Sequence, residues 1–306
     1  MKWLSSAPAN VMLMGEHSVV YGQPALVAAL TPIIEITWQA RDDRKLVIHS
    51  DLADWKTDLD SIQAHPKLQF VLQAIEAFAA DLPCGLQLSI RSEFPSDWGL
   101  GSSAAVLAAT LAGLNTISGR NLTRWQLFEL GHRVILNIQG RGSGADLAAS
   151  LNGGLSYFCH SEKILETLEF EWPLCLVYSG YKTPTAEVLA WVAEQWQTRT
   201  DELNKLYQKM GQITRKAYQA LQQNNQGLFF EQVNRYQQTM RTLGVSDETL
   251  EQIIAELNAQ GITAKISGSG LGDCVVGFGK TQSLQNFSIL NTQISRNGAL
   301  CQTINE

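Results

Sequence analysis

The sequence lacks an apolar run near the 18 residues or so that a membrane-spanning helix requires, so we expect no membrane span. It also lacks a basic excess, because 23 Lys and Arg face 29 Asp and Glu, for a formal net charge of −6. Broad, salt-dependent binding to nucleic acid is therefore not expected. A small anion is not excluded as a ligand, since its binding depends on local backbone donors and a few cations.

Cysteine is sparse, and its pattern does not suggest a network of disulfide bonds. The five cysteines are an odd number, lie far apart and form no CxxC pair. The pattern argues against a disulfide scaffold or a structural zinc site, and favours a reducing cytoplasm as the location. The five histidines likewise show no metal-ligand spacing.

What the chain does have is a globular composition, with 45% apolar and 17% charged residues among 306. Short strand-like runs dominate the first third, long helical segments follow, and two or three strand-like pieces close the chain. That order predicts an α+β fold rather than a repeated βαβ array. A charged stretch over 160–172 suggests a boundary, which gives an N-terminal domain over 1–165 and a C-terminal domain over 166–306.

The most informative segment is the small-residue loop 95–101, which leads into a predicted helix over 102–117. Glycines allow the backbone to approach a bound group closely, and the first turn of a helix offers unpaired N–H groups at its positive end. The combination predicts a phosphate cradle. The alternative is a Ser N-cap on an ordinary core helix.

Other nucleotide and hydrolase motifs fit poorly. Gly279-Lys280-Thr281 supplies the end of a Walker A loop, but Cys274 occupies the position of its first glycine. The segment 99–104 has the GxGxxA form of a dinucleotide fingerprint, yet no Asp or Glu lies between Asp97 and Glu129 to hold a ribose. No GxSxG nucleophile elbow occurs.

Three further small-residue segments accompany the loop, over 7–17, 140–146 and 265–274. The first delivers Glu16 and His17 directly after an apolar run, where polar side chains are well placed to line a cleft. The second ends in Asp146, which is either a residue that approaches a substrate or a helix cap. The third has glycine at every second position, typical either of a flexible turn or of a loop that closes over a polyphosphate.

In this order, the segments resemble the motifs of the GHMP kinases, and the resemblance extends from Ala7 to Phe278. It implies an N-terminal domain with a mixed sheet and helices, a C-terminal ferredoxin-like domain, and an active site between them. Within the family, Gly15–Gly22 resembles the first motif of the mevalonate kinases most. The implied reaction is ATP- and Mg²⁺-dependent phosphorylation of the primary hydroxyl of mevalonate, for isoprenoid precursor synthesis.

The resemblance also implies roles for individual residues. Asp146 is the implied base or hydroxyl-orienting acid, with Asn10 beside it, and Ser103 is the implied Mg²⁺ ligand. Lys182 and Thr183 are weaker candidates for the cleft. The implied phosphate-binding residues are Gly99, Leu100, Gly101, Ser102, Ser103 and Ala104. The implied substrate-side residues are Glu16, His17, Ser267, Gly268 and Ser269.

The chain departs from the family pattern at three positions. Asn10 stands where mevalonate kinases usually carry a lysine, and it retains a hydrogen-bond donor without the charge. Ile135 stands where the resemblance implies an acid that helps to hold Mg²⁺, and Glu129 on the same predicted helix is not an obvious replacement. Asp273 replaces a glycine of the third motif.

These departures leave alternatives open. One is another GHMP activity, such as a phosphomevalonate or sugar kinase, or a decarboxylase of the family. Another is a sensor that binds ligands without turnover. The expected partner is a small-molecule substrate, with neither nucleic acid nor membrane, and a homodimer is possible.

Overall fold

A computed structural model describes residues 1–96, 98–168 and 170–304 of the chain. Its strands build two sheets, a larger mixed one and a smaller antiparallel one. In chain order the strands are β1 (Lys2–Met14), β2 (Ala25–Arg41), β3 (Lys45–Ser50), β4 (Trp55–Asp58), β5 (Gly85–Ser92), β6 (Leu155–Cys159), β7 (Ile164–Leu168), β8 (Pro173–Tyr178), β9 (Ala264–Ser267), β10 (Cys274–Gly277), β11 (Ser288–Gln293) and β12 (Leu300–Ile304).

The helices lie mostly in the middle and the second half of the chain. They are α1 (Gln69–Glu76), α2 (Ser102–Ser118), α3 (Arg124–Gln139), α4 (Ala145–Asn152), α5 (Thr185–Gln195), α6 (Thr200–Gln222), α7 (Gln226–Leu243) and α8 (Glu248–Ala259). Helical spacing in the sequence predicts segments over 67–80, 102–117, 123–138, 185–198, 201–223, 226–242 and 247–260, and each corresponds to one of these helices. Helix α4 was not predicted, because eight residues are too few for a clear periodic signal.

The larger sheet runs in the order β12-β1-β2-β5-β3-β4, and β6 with β7 extends from the first part of β2. The pairing of β3 with β5 is parallel, whereas the other strand pairs described in this sheet are antiparallel. The strand β2 is long enough to pair with β6 through residues 25–28 and with β5 through residues 34–41.

Helix α2 is the central element of the N-terminal half and is apolar on all sides, as the sequence indicated. It packs against β1 and β2, and against α1 and α4. The absence of a side chain at Gly113 allows the close approach of Trp38, because a Cβ there would lie 2.6 Å from the indole ring. This packing holds the second half of α2 against β2.

The smaller sheet has the order β11-β8-β10-β9, with every pairing antiparallel among the residues described. If these strands are renumbered 1 to 4 along the chain, the order is 4-1-3-2, which is that of a ferredoxin-like sheet. Helices α5 to α8 all lie between its first strand, β8, and its second strand, β9. The expected α+β architecture with two different sheets is confirmed.

The division into domains over 1–165 and 166–306 stays a prediction. The larger sheet contains strands from both of these ranges. Strand β7 crosses residue 165 and pairs with β6 in the larger sheet. Strand β12 returns from the end of the chain to pair with β1, with Leu4 opposite Gln302. The larger sheet is therefore built from both ends of the chain.

Candidate active site

The four small-residue segments of the sequence meet at one cleft of about 650 Å³. Its walls come from the end of β1 and from the loops that precede α2, precede α4 and follow β9. Of the two weaker candidates, Lys182 lines this cleft and Thr183 does not. All the residues to which the resemblance gave catalytic, phosphate-binding or substrate-side roles line it. They are Asn10, Glu16, His17, Gly99, Leu100, Gly101, Ser102, Ser103, Ala104, Asp146, Ser267, Gly268 and Ser269.

The loop before α2 has the geometry expected of an anion cradle. Gly99 and Gly101 adopt φ values of 68° and 64°, in the left-handed region that favours glycine. Gly101 occupies the N-cap of α2, so no side chain caps the first turn of this helix. All residues of that first turn lie within the described ranges, and none of them is acidic. Its N–H groups are therefore available to a negatively charged group at the positive end of the helix.

Asn10 lies directly behind this loop and supports it. Its backbone N–H donates to the carbonyl of Leu100 at 3.1 Å, and its side-chain Nδ2 donates to Ser150 Oγ at 2.9 Å. Ser150 in turn donates to the carbonyl of Pro8 at 2.8 Å. The side chain is 1% exposed. This amide is thus held by the protein at the floor of the cleft, and its catalytic role remains a prediction.

Glu16 is paired with a lysine that is remote in sequence. The Lys265 ammonium lies 2.5 Å from Glu16 Oε1, and neither side chain is more than 1% exposed. The hydroxyl of Tyr236 donates to the Glu16 carbonyl at 3.1 Å and accepts from the Gly15 N–H at 2.9 Å. Burial raises the pKa of Glu16 and lowers the pKa of Lys265, and their mutual attraction opposes both changes.

His17 keeps one ring nitrogen without a hydrogen-bond partner among the described residues. Its Nε2 lies 2.8 Å from the carbonyl of Ser269, and because a carbonyl only accepts, Nε2 carries the proton. Burial lowers the pKa of the imidazole, which favours the neutral form with an unprotonated Nδ1. Among the described residues, nothing bonds His17 Nδ1, Glu16 Oε2 or Ser269 Oγ, although all three atoms are buried. Such a set suits a ligand that carries hydroxyl groups.

Asp146 stands in the first turn of α4, after Gly144 at φ 76°. Burial raises the pKa of its carboxyl to about 6, and the positive charge of Lys182 opposes that rise. A carboxyl with this pKa is largely ionised near neutral pH, yet basic enough to accept a proton. Gly144 occupies the N-cap of α4 and no side chain caps it, so Asp146 is not the helix cap, and its role as a base stays a prediction.

The third loop closes the opposite wall. Ser267 Oγ donates to the carbonyl of Met12 at 3.0 Å, which ties the end of β9 to β1. Gly268 follows at φ 92°. Lys182 and Asp273 also line the cleft from this side, and Arg141 lines it from the loop before α4.

The position implied for the Mg²⁺-binding acid offers no ligand. Ile135 lies at the wall of the cleft, but its side chain is apolar and 8% exposed, and it packs against Gly142. Glu129 is exposed and is not among the residues that line the cleft. In the described part of the chain, no group of three or more His, Cys, Asp or Glu is arranged to hold a metal ion.

Some residues at the site carried no usable sequence signal. Tyr236 is one of several apolar residues on the inner face of α7, and only its contact with Gly15 and Glu16 distinguishes it. Lys265 begins the third glycine segment, but nothing in that segment indicates a fully buried partner 249 positions away. Trp98, beside the loop, stacks on Tyr178 with ring centroids 5.6 Å apart.

No helix within the described ranges is long and apolar enough to span a membrane.

Two family models match the chain. The model for the GHMP kinases N terminal domain covers residues 69–154, and the model for the GHMP kinases C terminal covers residues 217–287. Together they span more than half of the chain and include the loop before α2, Asp146 and the third glycine loop. The chain therefore belongs to the GHMP kinase family.

The chain is also similar to individual proteins, one by sequence and two by structure. The chain is 32% identical over 279 residues to the mevalonate kinase of Archaeoglobus fulgidus, which covers 90% of this chain and 92% of that protein. Its fold matches a Lin0012 protein from Listeria innocua with a TM-score of 0.87, at 19% identity and 99% coverage of both chains. The mevalonate kinase of Methanococcus jannaschii matches with a TM-score of 0.80 at 21% identity, over 95% of this chain and 98% of that one.

Proposed function

We propose that this protein is an ATP-dependent kinase that phosphorylates the primary hydroxyl of mevalonate. The observation that carries the proposal is the convergence of Asp146 and the glycine loop 99–104 on one cleft, in a chain 32% identical to a mevalonate kinase over nine-tenths of its length. The unpartnered polar atoms of Glu16, His17 and Ser269, three residues that line the cleft, support an acceptor that carries hydroxyl groups.

The bound nucleotide supplies the phosphoryl group, and the protein supplies position and charge. The N–H groups at the start of α2 hold the phosphates, and the loop that shapes them packs so closely on Asn10 that a Cβ at Gly101 would collide with its amide. Glu16, His17 and Ser269 orient the acceptor. Asp146 accepts the proton of the attacking hydroxyl at its carboxylate. Phosphoryl transfer depends mainly on such positioning and electrostatic stabilisation.

Mg²⁺ fits this cleft through few protein ligands. The Ser103 hydroxyl, exposed at the first turn of α2, is the donor that we assign to it. Ile135 provides none. Because Mg²⁺ in nucleotide sites commonly takes most of its ligands from phosphates and water, a single serine is compatible with the ion. When bound, the ion would neutralise phosphate charge.

The test is turnover by the pure protein with Mg-ATP and a panel of mevalonate, phosphomevalonate, galactose and homoserine. ADP release is followed against a blank without acceptor. We expect turnover with mevalonate and rates at the blank level with the others. Turnover only with another acceptor would replace the substrate, and binding of ATP with no turnover across the panel would favour a ligand sensor.

A further inference from the structure

The segment that carries Lys182 is tied to the third glycine loop by its backbone. The N–H of Ser179 donates to the carbonyl of Asp273, and the N–H of Asp273 donates to the carbonyl of Tyr181, both at 2.9 Å. The hydroxyl of Thr183 donates to the carbonyl of Leu271 at 2.6 Å. These bonds flank residue 182 on both sides and fix its Cα at the rim of the cleft.

The same loop holds side-chain-bearing residues in a conformation that glycine adopts more easily. Asp273 has a φ of 65° and Leu271 a φ of 54°. Such backbone costs free energy, and it persists where the surroundings impose it, commonly at functional sites. Asp273 therefore occupies its position at a cost that a glycine would not incur.

The carboxylate of Asp273 lies between Lys182 and the phosphate loop. Its Oδ1 is 3.5 Å from Lys182 Nζ, and the aspartate side chain is 6% exposed. A Cβ built on Gly99 would come within 3.0 Å of the same Oδ1. The ammonium of Lys182 thus forms an ion pair with a carboxylate that lies next to the phosphate loop, although Oδ1 makes no hydrogen bond within the described residues.

Lys182 differs from the other cation of the cleft in its surroundings and in its effect on Asp146. Arg141, the other cation among the cleft residues, is exposed, and its guanidinium donates to the Ala186 carbonyl at 3.1 Å. The positive charge of Lys182 lowers the pKa of Asp146 against the effect of burial. Within residues 1–96, 98–168 and 170–304, the titratable and charged groups that line the cleft are Glu16, His17, Arg141, Asp146, Lys182 and Asp273.

We propose that Lys182 is the cation of this cleft that stabilises the charge on the phosphoryl group during transfer, and that Asp273 is the positioning residue that holds its ammonium beside Gly99. Asp273 itself does not act on the substrate. This assignment rests on phosphoryl transfer as the proposed function, and it gives a role to the acid that interrupts the third glycine motif.

The step balances without a further reactant. The bond between the γ-phosphorus and the oxygen that bridges it to ADP breaks, and a bond from the acceptor oxygen to that phosphorus forms. The hydroxyl proton goes to Asp146, whereas Lys182 keeps its proton throughout. A fixed ammonium at this place stabilises negative charge that is spread over the phosphoryl oxygens.

The steady-state kinetics of Lys182→Met test the proposed role of Lys182 in phosphoryl transfer. The matched control is Lys280→Met, because Lys280 is exposed and lies outside the cleft. Removing a group that acts mainly in the transition state lowers kcat more than it raises KM. We expect a loss in kcat of about 100-fold, with a much smaller change in the KM for ATP. An unchanged kcat, or a loss confined to KM, would overturn the role.

Asp273→Gly tests the positioning role, because glycine relieves the positive φ and removes only the side chain. We expect thermal stability to be kept or raised while kcat falls about tenfold. In the double variant Lys182→Met/Asp273→Gly, kcat should fall no further than in Lys182→Met alone, since Asp273 acts through Lys182. Losses that multiply would show that Asp273 acts independently and would contradict the proposal.

A pH titration of Asp146 in the absence of any acceptor tests the placement of Lys182 independently of which substrate the protein uses. The carboxyl ¹³C resonance of Asp146, assigned with Asp146→Asn, gives its pKa in the wild type and in Lys182→Met. We expect a higher pKa in Lys182→Met and no change in Lys280→Met. An unchanged value in Lys182→Met would exclude the coupling even if the wild type turned over mevalonate. Failure of the wild type with mevalonate would refute the proposed function alone.

Discussion

Lys265 and Glu16 form an ion pair in which neither side chain is more than 1% exposed, and the pair joins β9 to the turn after β1. A buried pair of this kind is costly to break, because the remaining charge has no solvent. We therefore regard it as the element that fixes Glu16, and with it His17, at the cleft.

Lys265→Met should lower the free energy of unfolding by about 3–5 kcal/mol, because it leaves Glu16 uncompensated. The double variant Lys265→Met/Glu16→Gln should recover part of that loss. Urea unfolding at neutral pH measures both. If the double variant lost as much as the two single variants together, the pair would not act as a unit.

Gly101→Ala should impair nucleotide binding through a collision. The new Cβ would lie 2.1 Å from Asn10 Nδ2, and the amide is held in place by Ser150. Gly119→Ala is the matched control, since Gly119 has a φ of 71° but nothing within 4 Å of the position of a Cβ. Both variants carry the strain of a positive φ, about 1–2 kcal/mol.

By calorimetry, we expect Gly101→Ala to weaken ATP binding at least about tenfold, a change of roughly 1.4 kcal/mol. Gly119→Ala should bind as the wild type does. Equal effects of the two substitutions would mean that backbone strain, rather than the fit of the cradle, governs binding.

The pH dependence of turnover should reflect Asp146, whose pKa burial raises to about 6. The base must be ionised, so kcat should fall on the acid side as pH drops through that value. Asp146→Asn should lose nearly all turnover and the acid limb with it. A rate that is flat from about pH 5 to about pH 8 would remove Asp146 from the role of base.

Asp146 should also influence stability, in a direction opposite to its benefit for activity. Its folded pKa lies above the ordinary value of 3.8 for an aspartate, so its contribution to stability is present below that value and is lost as pH rises towards about 6. Asp146→Asn removes this dependence. We expect its Tm to exceed that of the wild type at about pH 7.5, and the gap to shrink at about pH 4. A lower Tm at the higher pH would contradict this.

Ser103→Ala should raise the Mg²⁺ concentration that gives half-maximal turnover at fixed ATP by about tenfold. Ser118→Ala, at the other end of α2, is the control for the same change in the same helix. An unchanged Mg²⁺ requirement in Ser103→Ala would leave the ion without the protein ligand that we assign to it.

Local patterns in the sequence predicted much of this molecule. The all-round apolar character of 102–117 is typical of a buried helix, which is α2, and the threonine at 123 is a preferred N-cap residue and caps α3 with a capping box. The glycine segments, with Glu16, His17 and Asp146 beside them, indicated the cleft. Each of these signals lies within a few residues, where spacing and conformational preference act directly.

The long-range relationships were not predictable in the same way. Nothing in the periodicity of Leu300–Ile304 indicates that it pairs with β1 at the other end of the chain. The sequence marked Asp273 as a departure and Lys182 as a weak candidate, but their contact depends on a loop geometry that only the folded backbone provides. Ion pairs between distant segments carry no signature in a single sequence.

The most direct test of the central claim is a competition between acceptors in one tube. Equimolar mevalonate and phosphomevalonate are mixed with the protein and limiting Mg-ATP, and the products are followed by ³¹P NMR. We predict new phosphomonoester signal, equal in amount to the ADP formed, with no diphosphate of mevalonate. Appearance of that diphosphate, with mevalonate left unconsumed, would contradict the claim that mevalonate is the acceptor.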